Sequence, residues 1–224
     1  MKNIFCNKKI IIAVVFAMAI CIRVIPQIVQ NIDVNCDEAM LAINAKSIAE
    51  TGKDIYGTSN PVYFEAWGAA GQSALPTYLS ALFVKIFGYS LFTVRLPFII
   101  LSICSLFIVF ALSKKMFGTR TAVIILALTA ISPWHILQSQ IALDCNMFPH
   151  ILLVGVYLLY VGLEEKRNIC TYFSMFFFAI SMYCYGVAIF IVPLMLTIIS
   201  TYELIKKKIG IKQVLICILI YVVI

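Results

Sequence analysis

Charge is scarce in this chain: of 224 residues only 12% are Asp, Glu, Lys or Arg, while 63% are hydrophobic. Soluble domains carry about a quarter charged residues, so a soluble globular fold is excluded and a polytopic membrane protein is indicated. Acidic residues are fewer than basic ones, ten against seventeen, for a net charge of +7. The cations stand in short clusters between apolar runs, as in cytoplasmic membrane loops, and this pattern argues against nucleic acid as a partner. Histidine occurs twice, and none of the eight cysteines forms a CxxC pair, so no zinc-type ligand set is assigned. The glycines match no phosphate-cradling motif.

Long apolar runs are what the chain does have. Ile10 to Val29, Leu96 to Leu112, Thr121 to Trp134, Phe148 to Leu163, Ile169 to Ile205 and Val214 to Ile224 each look able to span. The stretch from Ile169 to Ile205 is about twice the roughly 20 residues a crossing needs, and folds back at Tyr183 to Gly186. The expectation is an all-α membrane protein of about seven transmembrane helices, a single domain over residues 1–224. The first run follows Lys2, Lys8 and Lys9 and contains a nominal cleavage site at Ala17-Met18-Ala19, but it stays apolar to Val29, which favours an uncleaved anchor.

Charge decides the sidedness. If Ser73 to Gly88 lies in the membrane interface instead of spanning, Lys114, Lys115, Arg120, Lys166, Arg167, Lys206, Lys207, Lys208 and Lys212 all share a side with the N-terminal lysines. The positive-inside rule selects that arrangement and a cytoplasmic N-terminus. A first outer loop over residues 31–95, with juxtamembrane helices, and a second over 135–147 follow. Seven of the ten acidic residues then face outward: Asp33, Asp37, Glu38, Glu50, Asp54, Glu65 and Asp144.

Asp37 and Glu38 have a local explanation. Asn35 can cap a helix whose third residue is Glu38, an approximate capping box, and Gly52 can end it. Yet a connector of about 65 residues is far longer than a helix pair needs, and long ordered loops are usually functional. Tyr63 to Leu79 adds aromatics, a carboxylate and glycines at the membrane surface, as a site for an amphiphilic substrate requires. Cys36 and Cys145 each touch an outer acid and could pair. Arg23 and Lys85 read as snorkelling cations. His135 and His150 read as interfacial residues, and Trp67, Trp134, Tyr183 and Tyr185 as interfacial anchors.

Three stretches, "DEAMLAINAKSIAETG", "LPTYLSALFVKIFGYSLFTVRLPF" and "ISPWHILQSQIALDCNMFP", together resemble the lipid-carrier-dependent glycosyltransferases of the GT-C fold. That group includes the protein O-mannosyltransferases and the bacterial aminoarabinose transferases. The middle stretch is similar to the family's P-x-Y, lfG-s and RLP signature, and Pro76-Thr77-Tyr78 supplies its start. The resemblance implies transfer of a sugar from a polyprenyl-phosphate carrier to a protein, lipid or glycan acceptor on the outer face of a membrane, here a bacterial cell membrane. It further implies Asp37 as catalytic base, Glu38 beside it, Asp144 as the acid of the second loop, and Arg95, Glu65 and Tyr78 at the substrate. A divalent cation held by Asp144 with Asp37 or Glu38 is compatible with hard oxygen ligands. Two differences from the pattern remove cations: Gln140 follows Ser139 where many members have Arg, and Ala66 follows Glu65 where one subgroup has Lys. Family members are usually more than twice this length, and the chain ends inside "VLICILIYVVI". A chain truncated at its C-terminus is therefore expected, and an inactive fragment or assembly module is the alternative to an enzyme.

Overall fold

The computed structural model describes residues 2–29, 33–68 and 70–224, with side chains described from residue 9 onward except at residue 70. The side chains of Lys2 and Lys8, and residues 31 and 32 at the start of the expected first loop, lie outside the described residues. The chain is an all-α membrane protein. Helix α1 (Lys2–Val29) is followed by α2 (Cys36–Thr51), a short hairpin of β1 (Tyr63–Ala66) and β2 (Ala70–Ser73), then α3 (Ala74–Phe87) and α4 (Leu91–Ile131). After these come α5 (Pro133–Gln140), α6 (Asp144–Glu164), α7 (Asn168–Met182), α8 (Ala188–Ile205) and α9 (Ile211–Val223).

Among the described residues, four helical stretches are long and apolar enough to cross a bilayer: Lys9–Val29, Leu91–Ile131, Asp144–Glu164 and Ala188–Ile205. Helix α4 has 41 residues but is two rods, because Gly118 takes a φ of 81° that no right-handed helix contains. Its halves match two of the apolar runs. Helices α7 and α9, of 15 and 13 residues, are apolar but shorter than the roughly 20 residues a full crossing takes. Helix α3, with 14 residues, reaches about 21 Å and packs against α2 and α4.

Close packing follows from small residues. Gly155 of α6 lies where a Cβ would meet the Phe178 ring at 2.9 Å, and a Cβ on Gly162 would strike Thr171, so α6 and α7 approach over two glycines. Leu41, Phe98, Ala142 and Met147, all fully buried, join α2, α4 and α6 in one core. On the other side of the bundle Phe190, Leu194 and Ile198 stay exposed at helical spacing, the surface that hydrocarbon covers.

The bundle has two unlike ends. Lys115 pairs with Glu165, Arg167 with Glu165 at 3.1 Å and Lys208 with Glu164 at 2.9 Å. Arg120 lines a hollow with Ile11 of α1, which brings the first helix to the same basic end. The connectors 33–90 and 132–143 lie at the opposite end, with most of the acids. Ser90 caps α4 by accepting from the Thr93 N–H at 3.1 Å, which starts that helix ahead of Arg95. Residues 133–140 and 144 onward are helical, so the second connector is α5 plus Ile141 to Leu143.

Candidate active site

Helix α2 begins as its sequence dictates: the Asn35 side chain accepts the Asp37 N–H at 3.0 Å, and the chain stops at Gly52 with φ 73°. The capping box does not close. Glu38 turns inward instead, where it is fully buried. Its carboxylate receives Arg95 Nε and one terminal Arg95 nitrogen at 2.6 Å each, and the Ala142 N–H at 2.7 Å. Arg95, 2% exposed, also donates to the Gln27 side chain at 3.2 Å and to the Asp33 carbonyl at 3.3 Å.

Two of the expected site residues meet each other here. Glu38 was expected beside the reacting groups and Arg95 on a substrate phosphate. Each is occupied by the other, because an unpaired charge in this interior costs far more than the pair. Together they clamp α1, α2, α4 and the second connector.

Asp37 remains accessible on the exposed side of the same turn. Its carboxylate accepts the Trp67 indole N–H at 3.3 Å, and its carbonyl accepts the Gln72 amide at 2.6 Å. Trp67, at the hairpin tip, has a φ of 57°. That left-handed conformation is unfavourable for a bulky residue and is characteristic of functional positions. Across the site, Asp144 opens α6, accepting the Cys145 N–H at 2.8 Å and the Ser73 hydroxyl at 3.4 Å. Gln72 and Ser73, adjacent in β2, therefore tie the residue carrying one acid to the other acid.

Glu65 and Tyr78 are placed differently. Glu65 is exposed on β1 opposite Gly71. Tyr78 donates its hydroxyl to the Pro61 carbonyl at 2.9 Å and meets the Phe64 ring edge-on at 5.6 Å, which fixes the connector beneath the hairpin. Cys36 and Cys145 are free thiols. Among the described residues no three His, Cys, Asp or Glu side chains gather as a metal site.

The polar cluster below the site went unread in the sequence. Arg23 does not snorkel: it is fully buried and bonds Ser102, Ala19, Thr129, Ala130 and His135. Burial, and then the Arg23 charge, push the His135 imidazole down to about 4. His135 and His150 stack edge-on at 5.3 Å. An arginine six residues from the end of an apolar helix, with a histidine in the short helix opposite, was the available signal.

Residues 72–224 match the sequence pattern of the dolichyl-phosphate-mannose-protein mannosyltransferase family. The chain belongs to this family. The matched range holds Ser73, Tyr78, Arg95 and Asp144, whereas Asp37, Glu38 and Glu65 precede it. The fold is similar to that of ArnT from Cupriavidus metallidurans in the apo state, with a TM-score of 0.68 at 15% identity over 94% of this chain. It is also similar to the same protein bound to undecaprenyl phosphate, with a TM-score of 0.62 at 14% identity over 99% of this chain. In both comparisons the chain spans 40% of the ArnT length. A search of curated proteins finds no match.

Proposed function

We propose that this family member acts in transferring a sugar from a polyprenyl-phosphate carrier to an acceptor on the outer face of the membrane, with Asp37 as the base. The observation that carries this reading is that Gln72 and Ser73, adjacent in the hairpin, bond the Asp37 carbonyl and the Asp144 carboxylate, so that the starts of α2 and α6 bring two acids together at the end of the bundle away from the basic clusters. Family membership supports the lipid carrier, as does the undecaprenyl phosphate bound to ArnT, a protein of similar fold.

In this mechanism Asp37 takes the proton of an acceptor hydroxyl. The acceptor oxygen forms a bond to the anomeric carbon, and the bond from that carbon to the phosphate oxygen breaks. The electron pair leaves with the polyprenyl phosphate. Its accessible position and its bond to the Trp67 indole suit Asp37 to this role, and a sugar can stack on the adjacent exposed ring. Glu38 and Arg95 are positioning residues that hold α2 and the second connector together. Asp144 faces the donor. If a divalent cation binds at this site, the Asp144 and Asp37 carboxylates would hold it, and it would supply positive charge for the leaving phosphate. The basic end faces the cytoplasm, as positive-inside charge placement requires.

The test is transfer by the protein reconstituted in vesicles, supplied with labelled polyprenyl-phosphate sugars and hydroxyl acceptors of protein, lipid and glycan type. Label appearing on an acceptor supports the reading. Gln140, which stands where many members carry Arg, favours the second reading of an inactive assembly module, and that reading predicts no transfer from any donor.

A further inference from the structure

The Arg23 guanidinium has five N–H groups and five acceptors. Nε donates to the Ser102 hydroxyl at 3.0 Å. One terminal nitrogen reaches the Ala19 and Ala130 carbonyls at 2.8 and 3.2 Å, and the other the Thr129 carbonyl at 3.5 Å and His135 Nδ1 at 2.8 Å. None of these partners is a carboxylate. A buried cation without a counter-ion persists only when its donors are satisfied, so the arrangement is intolerant of any shift.

The same bonds assign the histidine. Because Arg23 can only donate, His135 Nδ1 must accept, and the ring proton sits on Nε2. That proton goes to the Ser105 hydroxyl at 2.9 Å, whose own proton goes to the Ser102 carbonyl at 2.7 Å. One turn along α1 from Arg23, Gln27 accepts from Arg95 at 3.2 Å and donates to the Gln140 carbonyl at 3.0 Å. Helix α5 is thus held near its start through His135 and at its end through Gln140. Ala142, two residues on, is held by Glu38 at 2.7 Å. Asp144 follows after two more residues.

We propose that Arg23, acting through His135, is a positioning residue that sets the second connector, and hence Asp144, opposite Asp37. The consequence for transfer rests on the proposed glycosyltransferase reading, whereas the positioning itself does not.

Cys36 and Cys145, next to the two acids, provide native reporter positions. In the full chain with Cys6, Cys21, Cys104, Cys170, Cys184 and Cys217 replaced by alanine, spin labels on Cys36 and Cys145 report the separation of the two connectors by pulsed electron resonance, without substrate. His135→Gln retains one acceptor and one donor, and its distance distribution is expected to match that of the unmodified residue. His135→Phe and Arg23→Lys, which cannot complete the network, are expected to broaden and displace it. In transfer assays the same two variants should lose about 100-fold in kcat, the scale of a small misplacement at a reacting centre, with little change in donor KM. His135→Gln should retain activity. Unchanged distances in a folded His135→Phe protein would overturn the inference. If the distances respond but the unmodified chain transfers no sugar, the positioning stands and the enzymatic reading falls.

Discussion

Glu38 and Arg95 meet through two parallel hydrogen bonds of 2.6 Å with both side chains almost wholly removed from solvent. A fork-to-fork pair of this kind fixes direction as well as distance. It joins the first turn of α2 to the first turns of α4, and the third bond to Glu38, from Ala142, brings in the second connector. Breaking it from one side leaves a buried charge unpaired. Glu38→Gln and Arg95→Lys should each destabilise the fold by roughly 3–5 kcal/mol. Thermal unfolding in detergent checks this. The paired Glu38→Leu/Arg95→Met protein should lose less stability than the summed losses of Glu38→Leu alone and Arg95→Met alone, and strict additivity would mean that the residues do not act as a pair.

Trp67 offers the opposite behaviour. Its φ of 57° suits glycine, so Trp67→Gly should leave stability unchanged or raise it by up to about 1 kcal/mol. The indole bond to Asp37 is lost at the same time. Transfer activity should therefore fall while the unfolding temperature does not. A parallel fall of both would show that the ring serves the fold and not the site.

A Cβ on Gly71 would overlap the outer atoms of the Tyr63 ring across the hairpin, an exposed side chain that can swing away. Gly71→Ala should therefore change stability by less than about 1 kcal/mol, with Gln72 still on the Asp37 carbonyl and Ser73 on Asp144. Limited proteolysis between residues 60 and 73 should proceed at an unchanged rate; a faster cut would show that the Tyr63 ring is locked over Gly71.

Sidedness has its own check. In intact cells a membrane-impermeant maleimide should label Cys36, which is exposed next to Asp37, and should label Lys208→Cys only after the membrane is opened. The reverse pattern would invert the proposed topology.

Much of this was legible in the sequence, because hydrophobic length and charge placement are one-dimensional signals. The apolar runs became helices, Asn35 and Gly52 bound α2 as their chemistry requires, and Asp37 and Asp144 came to the same end. What was not legible depends on which side chains face each other. Glu38 follows Asp37 directly, and one step of a helix turns a side chain by about 100°, enough to bury one acid and expose its neighbour. Arg95 read as a phosphate contact because its partner stands 57 residues away. Arg23 read as a snorkelling cation because its five acceptors lie in α1, α4 and α5, mostly on the backbone, where sequence carries no trace of them. The hairpin that places Trp67 was missed because its strands have four residues each, too few for an alternating pattern.

The most direct measurement is the transfer rate of Asp37→Asn, compared with the unmodified protein in the same vesicles with saturating labelled donor. Asp37 is exposed, so the amide should leave the unfolding temperature nearly unchanged. The account predicts a fall in kcat of about 10²- to 10⁴-fold, the usual worth of a positioned general base. Unaltered kcat in a correctly folded Asp37→Asn protein would contradict it.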